Sequence, residues 1–326
     1  MLPIELIRQA EHRLRGRVHR TPLVRSAAVS DRLGVPVWLK LELLQKTGSF
    51  KPRGAFNKML SLTPAERARG VVAASGGNHA QGVAYAAREL GIRATIAMPA
   101  TTPANYLDAT RGYGAEVVLT PDIRAAFAAA ERLRDEGMVP VHPFDDPLLA
   151  AGQGTIGLEI LEDLPGVTHA YVSIGGGGLI GGVASALKAV KPDVTVVGVE
   201  TAGADAMAKA LAAGRPVELP AITSIARTLG APAVSELTLG LVRELVAEVV
   251  VVDDAAAVAA LTLILERTKY LAEPAAACCL AAAERHRGRF RPGDQVVLLL
   301  CGGNVSLDDV CAFRTRFPAG PGSGAA

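Results

Sequence analysis

The sequence predicts an α/β fold in which parallel-sheet-rich lobes carry helices on both faces. Three observations predict it. Short β-rich runs alternate with longer helical patterns along the whole chain. Several of those runs are apolar throughout, as in Val71-Val72 and Val296-Val297-Leu298-Leu299-Leu300, which suits strands covered on both faces. Gly91 and Gly137 stand just past helical stretches, where a C-cap glycine belongs. At 326 residues the chain is long enough for two lobes.

Strands are expected over 37–41, 71–74, 94–98, 116–119, 139–142, 170–174, 195–199, 248–252 and 295–300. Helices are expected over 79–90, 122–136, 179–190 and 255–271. Residues 318–326, rich in Pro, Gly and Ala, read as a disordered tail. The longest apolar stretch, 255–265, is too short to span a bilayer, and an acid at Glu5 interrupts the N-terminal run, so no signal peptide is expected.

A net charge of +2 supplies no broad pull toward nucleic acid or anionic membrane. Aromatic residues at 4% offer no base-stacking surface. The cysteines, Cys278, Cys279, Cys301 and Cys311, have neither zinc spacing nor the look of a disulfide framework. They read as reduced thiols of a cytoplasmic protein.

Four loops carry the chemistry. In Lys46-Thr47-Gly48-Ser49-Phe50-Lys51-Pro52-Arg53-Gly54, Pro52 suits a first helical position and Ser49 a cap. Lys51 then sits at a helix N-terminus, whose partial positive charge lowers an amine pKa, as a Schiff-base lysine needs. Ser75-Gly76-Gly77-Asn78-His79 follows a strand and opens a helix, offering close backbone approach and one amide. Gly175-Gly176-Gly177-Gly178-Leu179 ends a strand and starts a helix, a cradle for phosphate. Cys301, in Leu300-Cys301-Gly302-Gly303-Asn304, ends a strand where open α/β sheets bind ligands. Pattern alone leaves a rival: Gly176, Gly178 and Gly181 satisfy G-x-G-x-x-G, with Glu200 at the spacing of a ribose contact in a nicotinamide dehydrogenase.

Together these loops resemble the threonine/serine dehydratase and serine racemase family, pyridoxal phosphate enzymes of fold type II (tryptophan synthase β-like). The resemblance runs from Arg20-Thr21-Pro22-Leu23 to Asn304 and includes Lys40-Leu41-Glu42, Ala151-Gly152-Gln153-Gly154-Thr155 and Glu273-Pro274. It implies a large cofactor-binding lobe of residues 1–59 and 144–326, a small mobile lobe of 60–143, and a homodimer. It implies that Lys51 holds pyridoxal phosphate, with Phe50 against it and Asn78 on its ring hydroxyl. Gly175, Gly176, Gly177, Gly178 and Leu179 would hold the phosphate, Cys301 would face the pyridine nitrogen, and Glu273 would lie near the ring. Ser75, Gly76, Gly77 and His79 belong to the loop that would grip the substrate carboxylate. The activity implied is elimination of water from a β-hydroxy amino acid such as L-threonine or L-serine, giving a 2-oxo acid and ammonia.

Three departures qualify this. Racemases of the family have a serine where this chain has Gly76, so elimination is expected rather than racemisation. Relatives with a divalent cation use two carboxylates and a carbonyl; here the positions are Glu200, Ala204 and Ala206, so no metal is expected beyond a residual site at Glu200 and Ala204. The loop 224–232, with Arg227, Thr228 and Leu229, differs from the usual one, which leaves phenylserine or 3-hydroxyaspartate as alternative substrates. Arg124 reads equally as a substrate contact or as a solvated arginine at a helix start.

Overall fold

The computed structural model describes residues 1–318, so all but the first residue of the expected tail lies outside the described residues. Ten strands form among those described, in chain order β1 (Leu23–Arg25), β2 (Val37–Lys40), β3 (Val71–Ala74), β4 (Ala94–Pro99), β5 (Glu116–Thr120), β6 (Val139–Pro140), β7 (His169–Ser173), β8 (Thr195–Thr201), β9 (Glu248–Val252) and β10 (Val296–Leu299). Six of them make one sheet in the order β1-β2-β10-β7-β8-β9, and four make a second in the order β5-β4-β3-β6. Every pairing among them is parallel except β1 with β2. The four-stranded sheet is built wholly from the middle of the chain, and the six-stranded sheet from the segments on either side of it.

Parallel strands covered on both faces need apolar side chains on both, and β3, β4 and β10 are buried at every position. That is why their bounds are readable in the sequence. The sequence reading misses β1, a three-residue edge strand that is only half-buried and too short to show a period. It also misplaces a cap. The helix Lys51–Leu60 starts at Lys51 itself, with Phe50 as its cap residue and Pro52 inside the first turn. Ser49 is extended, bridged to Gly302, and its buried hydroxyl has no partner among the described residues. The helix expected over 255–271 ends earlier, at Thr268, where Lys269 turns left-handed at φ 66°.

The helix Lys51–Leu60 is held by charge as well as by packing. The Arg53 guanidinium reaches Glu42 through Nε and Nη2, each at 2.8 Å, and Glu159 through Nη1 at 2.6 Å and Nη2 at 2.9 Å. Lys40 from the end of β2 donates to the Glu159 carboxylate at 2.5 Å and to the Thr21 carbonyl at 2.7 Å. Thr155, on the helix Pro147–Asp163, adds a 3.1 Å contact to Arg53. Two cations thus face two carboxylates, all buried. The quartet ties together β2, the turn after it, the Lys51 helix and the Pro147–Asp163 helix. Among the described residues no helix is long and apolar enough to cross a membrane.

Removing one member of a buried ion network leaves its partners' charges uncompensated. Arg53→Ala should therefore lower unfolding stability by about 3–5 kcal/mol, read from the denaturant midpoint. Arg53→Lys should recover only part of it, because a lysine cannot bond both carboxylates in forked geometry.

Candidate functional site

Three of the four loops leave the C-terminal ends of strands: 75–79 follows β3, 175–179 follows β7, and 301–304 follows β10. Open α/β sheets bind ligands at that edge. The fourth loop brings Lys51 to the same place. Phe50 donates its N–H to the Cys301 carbonyl at 3.1 Å, which binds the start of the lysine helix to the end of β10.

The Lys51 amine donates to the Pro143 carbonyl at 3.0 Å and lies 5.1 Å from the centre of the Phe50 ring. No carboxylate touches it among the described residues. Burial disfavours the ammonium and pulls Lys51 down to about 8, against the opposing influence of Cys301 and Glu273. An amine that sheds its proton near neutrality can attack an aldehyde.

Asn78 is the first residue of the helix Asn78–Leu90, and its amide is used outside that helix. Nδ2 donates to the Glu273 carboxylate at 3.0 and 3.2 Å. Thr228 donates its hydroxyl to the same carboxylate at 3.0 Å. Burial pushes Glu273 up to about 7, while the bonds from Asn78 and Thr228 favour its ionised form. Cys301 is buried, and its thiol stays neutral because burial, then the charge of Glu273, pushes its pKa far up. Ser173 Oγ stands 3.8 Å from its sulfur.

The glycine run takes the form expected of a phosphate cradle. Gly177 caps the helix Gly178–Val190 at φ 94°, in the left-handed region that favours glycine. Among the described residues no protein acceptor takes the N–H groups of Gly175 to Leu179. Phe144 lies against this run: a Cβ on Gly176 would fall 2.0 Å from its ring. On the other side the Leu229 carbonyl comes within 3.2 Å of where a Cβ on Gly175 would be. Sequence reasoning misses Phe144 and the Pro143 carbonyl, which follow β6 in an irregular segment with no pattern to read. It places Thr228 in the pocket without its bond to Glu273.

Other expected residues are placed as follows. The Ser75 hydroxyl accepts the Gly77 N–H at 3.1 Å, shaping its own loop. The His79 ring is buried, with Nε2 2.8 Å from the Val141 carbonyl, and burial holds it neutral. A Cβ on Gly76 would lie 2.6 Å from Thr102 Oγ1. Glu200 is occupied elsewhere: its carboxylate accepts the N–H groups of Met207 and Ala208, at 2.9 and 2.8 Å, and so caps the helix Ala206–Ala213. Ala204 lies in the turn before that helix, its N–H on the Thr201 carbonyl. Arg124 is exposed and pairs with Glu218 at 2.7 Å.

Unpartnered N–H groups at a helix start suit a phosphate, a buried amine suits an aldehyde, and an amide with a neutral thiol suits the polar edge of a pyridine ring. These are the functional groups of pyridoxal phosphate, and the residues present fit it. The L-threonine ammonia-lyase of Geobacter sulfurreducens is 46% identical over 318 residues, covering 97% of this chain and 79% of that protein. A T.th. threonine deaminase structure superposes with a TM-score of 0.87 at 40% identity, covering 93% of this chain and 98% of that one. Maize serine racemase superposes with a TM-score of 0.91 at 36% identity, covering 97% of both chains. The model of a family described as pyridoxal-phosphate dependent enzyme matches residues 14–302, and with these relatives it establishes that the chain belongs to that family.

Proposed function

We propose that the chain deaminates L-threonine, and L-serine beside it, to the corresponding 2-oxo acid and ammonia. One observation carries the reading: the base lies on one side only. Lys51 is the half-buried amine of the site, and Gly76, where racemases of the family have a serine, has no proton to give. Thr102 Oγ1 fills the space a side chain there would need. The names of the lyase and deaminase relatives support the same reading.

Bound pyridoxal phosphate supplies a conjugated sink for the electron pair left when the α-proton departs. The chain supplies the rest. The N–H groups of 175–179 would hold the phosphate, Asn78 and Cys301 would address the ring, and the loop 75–77 would take the substrate carboxylate. Lys51 would remove the Cα proton from its side. The electron pair left at Cα would form the Cα–Cβ double bond as the Cβ–O bond breaks, and the hydroxyl would leave as water with the proton returned by Lys51. The released enamine hydrolyses to the 2-oxo acid and ammonia. A neutral thiol is a weaker partner for the pyridine nitrogen than a carboxylate, which suits a reaction that ejects its leaving group promptly. The site is assigned between a lobe of 60–143 and a lobe of 1–59 with 144–326, a division that follows the two sheets.

A second reading takes a substrate with another carboxylate, 3-hydroxyaspartate. It is favoured by Arg227, a cation exposed beside Thr228. Release of 2-oxo acid from threonine, serine, phenylserine and 3-hydroxyaspartate, in both enantiomers, separates the readings. L-threonine should be the fastest, and Lys51→Ala should abolish release. Racemised serine accumulating as fast as oxo acid would overturn elimination.

Cofactor uptake should follow the Lys51 amine. Its neutral form becomes dominant at about 8 instead of the ordinary lysine value of 10.5. The uptake rate of the apoprotein should thus rise about tenfold per pH unit below 8 and level off above it, followed by absorbance after mixing. Gly177→Ala forces a side chain into the left-handed region, with its Cβ 2.7 Å from Thr238 Cβ. It should lower unfolding stability by ~1–2 kcal/mol, read from the denaturant midpoint.

A further inference from the structure

Thr47 is one of two residues other than glycine with positive φ among those described, at φ 63° and ψ 15°. Residues with a Cβ disfavour that conformation, and where one persists the surroundings enforce it. Here the enforcing partner is the loop after β10. The Gly303 N–H donates to the Gly48 carbonyl at 2.9 Å, and Ser49 bridges Gly302. The Thr47 carbonyl is thereby aimed at Asn304, whose Nδ2 donates to it at 2.7 Å. Gly48 follows at φ 69°, and a Cβ there would lie 2.4 Å from Asn304 Oδ1, so the asparagine side chain fits only against a glycine.

A chain of forced choices follows. A backbone carbonyl only accepts, so the end of Asn304 that faces Thr47 must be Nδ2. The second hydrogen of that nitrogen goes to Asn78 at 2.8 Å, so the Asn78 atom it meets must be Oδ1. Asn78 Nδ2 is then turned to the other side, where Glu273 accepts it. Glu273 alone would not impose this, because a carboxyl that burial pushes up to about 7 can itself donate. Tyr106, from the helix Ala104–Gly112, secures the arrangement by donating its hydroxyl to the Asn304 carbonyl.

We infer that Asn304, oriented by the Thr47 carbonyl, is a positioning residue that locks the Asn78 amide with its NH2 group toward Glu273 and the cofactor's ring oxygen. The ring oxygen then always meets a donor. This rests on the assignment of Asn78 to the ring hydroxyl. It gives the left-handed Thr47 and the Gly48 beside it a function in the lysine loop.

The test is a double-mutant cycle on the reconstituted holoenzyme, read in the cofactor's own absorbance and not in turnover. A donor on the ring oxygen favours the unprotonated ring oxygen, which absorbs in the visible; without it the near-ultraviolet form gains. Asn304→Asp, which puts an acceptor against Thr47, should raise the near-ultraviolet-to-visible ratio about fivefold, the population change of one lost hydrogen bond. Asn304→Ser, should the aspartate variant not fold, should move it in the same direction. In an Asn78→Ala background neither variant should move the ratio further. An equal change in both backgrounds, or none with Asn78 present, overturns the inference. If Asn78→Ala alone leaves the ratio unchanged, the ring-hydroxyl assignment fails and the inference falls with it.

Discussion

The Arg53 fork is the contact on which the site's geometry depends. It lies two residues after Lys51 on the same helix and joins Glu42, just past β2, to Glu159 on the helix Pro147–Asp163. A fully buried guanidinium is tolerable only because both carboxylates are in bonding range and Lys40 completes the charge balance. This pairing leaves Lys51 as a contrast. Lys40 is buried and Lys51 half-buried, but Lys40 meets a carboxylate, whereas the bonding partner of Lys51 among the described residues is the Pro143 carbonyl. Unpaired burial lowers the pKa of Lys51 toward the neutral range. The quartet therefore anchors the helix that starts at Lys51, while the carboxylate whose charge reaches the amine, Glu273, lies outside the quartet.

The two sheets supply different parts of the site. The six-stranded sheet gives the glycine cradle after β7 and Cys301 after β10, and the four-stranded sheet gives the loop 75–79 after β3. Asn78 and the proposed substrate carboxylate contact thus share one framework, while the glycine cradle and Cys301 stand on the other. The lysine helix lies between them: a Cβ on Gly82, in the helix after β3, would come within 2.9 Å of Lys51 Cβ, while Arg53 holds the other side.

Much of this is legible in the sequence, for a specific reason. Buried parallel strands are continuous apolar runs, and the glycine loops follow them directly, so both the strands and their C-terminal edge can be placed by pattern. The failures are equally physical. β1 is too short and too exposed to carry a period. The spacing of Glu200 resembles a ribose contact in one reading and a metal ligand in another, yet a helix start seven residues later takes its carboxylate. Ser49 has the composition of a cap, but pairing with Gly302 has a stronger claim on its backbone. The Arg53 quartet joins positions 40, 42, 53 and 159, and no local pattern reports a pairing across more than a hundred residues.

The contacts between the frameworks are unequal, and that bears on how the site could open. Arg124 and Glu218 form an exposed pair, each more than half accessible, and such pairs contribute only ~0–1 kcal/mol. Tyr106 to the Asn304 carbonyl is buried by comparison, and it runs directly into the Asn78 amide. Movement of the helix Ile123–Asp135, which carries Arg124, would break the exposed pair at little cost. Breaking the tyrosine contact would strip a buried hydroxyl of its partner, at about 1–3 kcal/mol. The link that resists opening is therefore the one that continues through Asn304 to the Asn78 amide. The Tyr106 hydroxyl therefore adds to the bonds that Asn78 makes to Asn304 and Glu273 in joining the two frameworks.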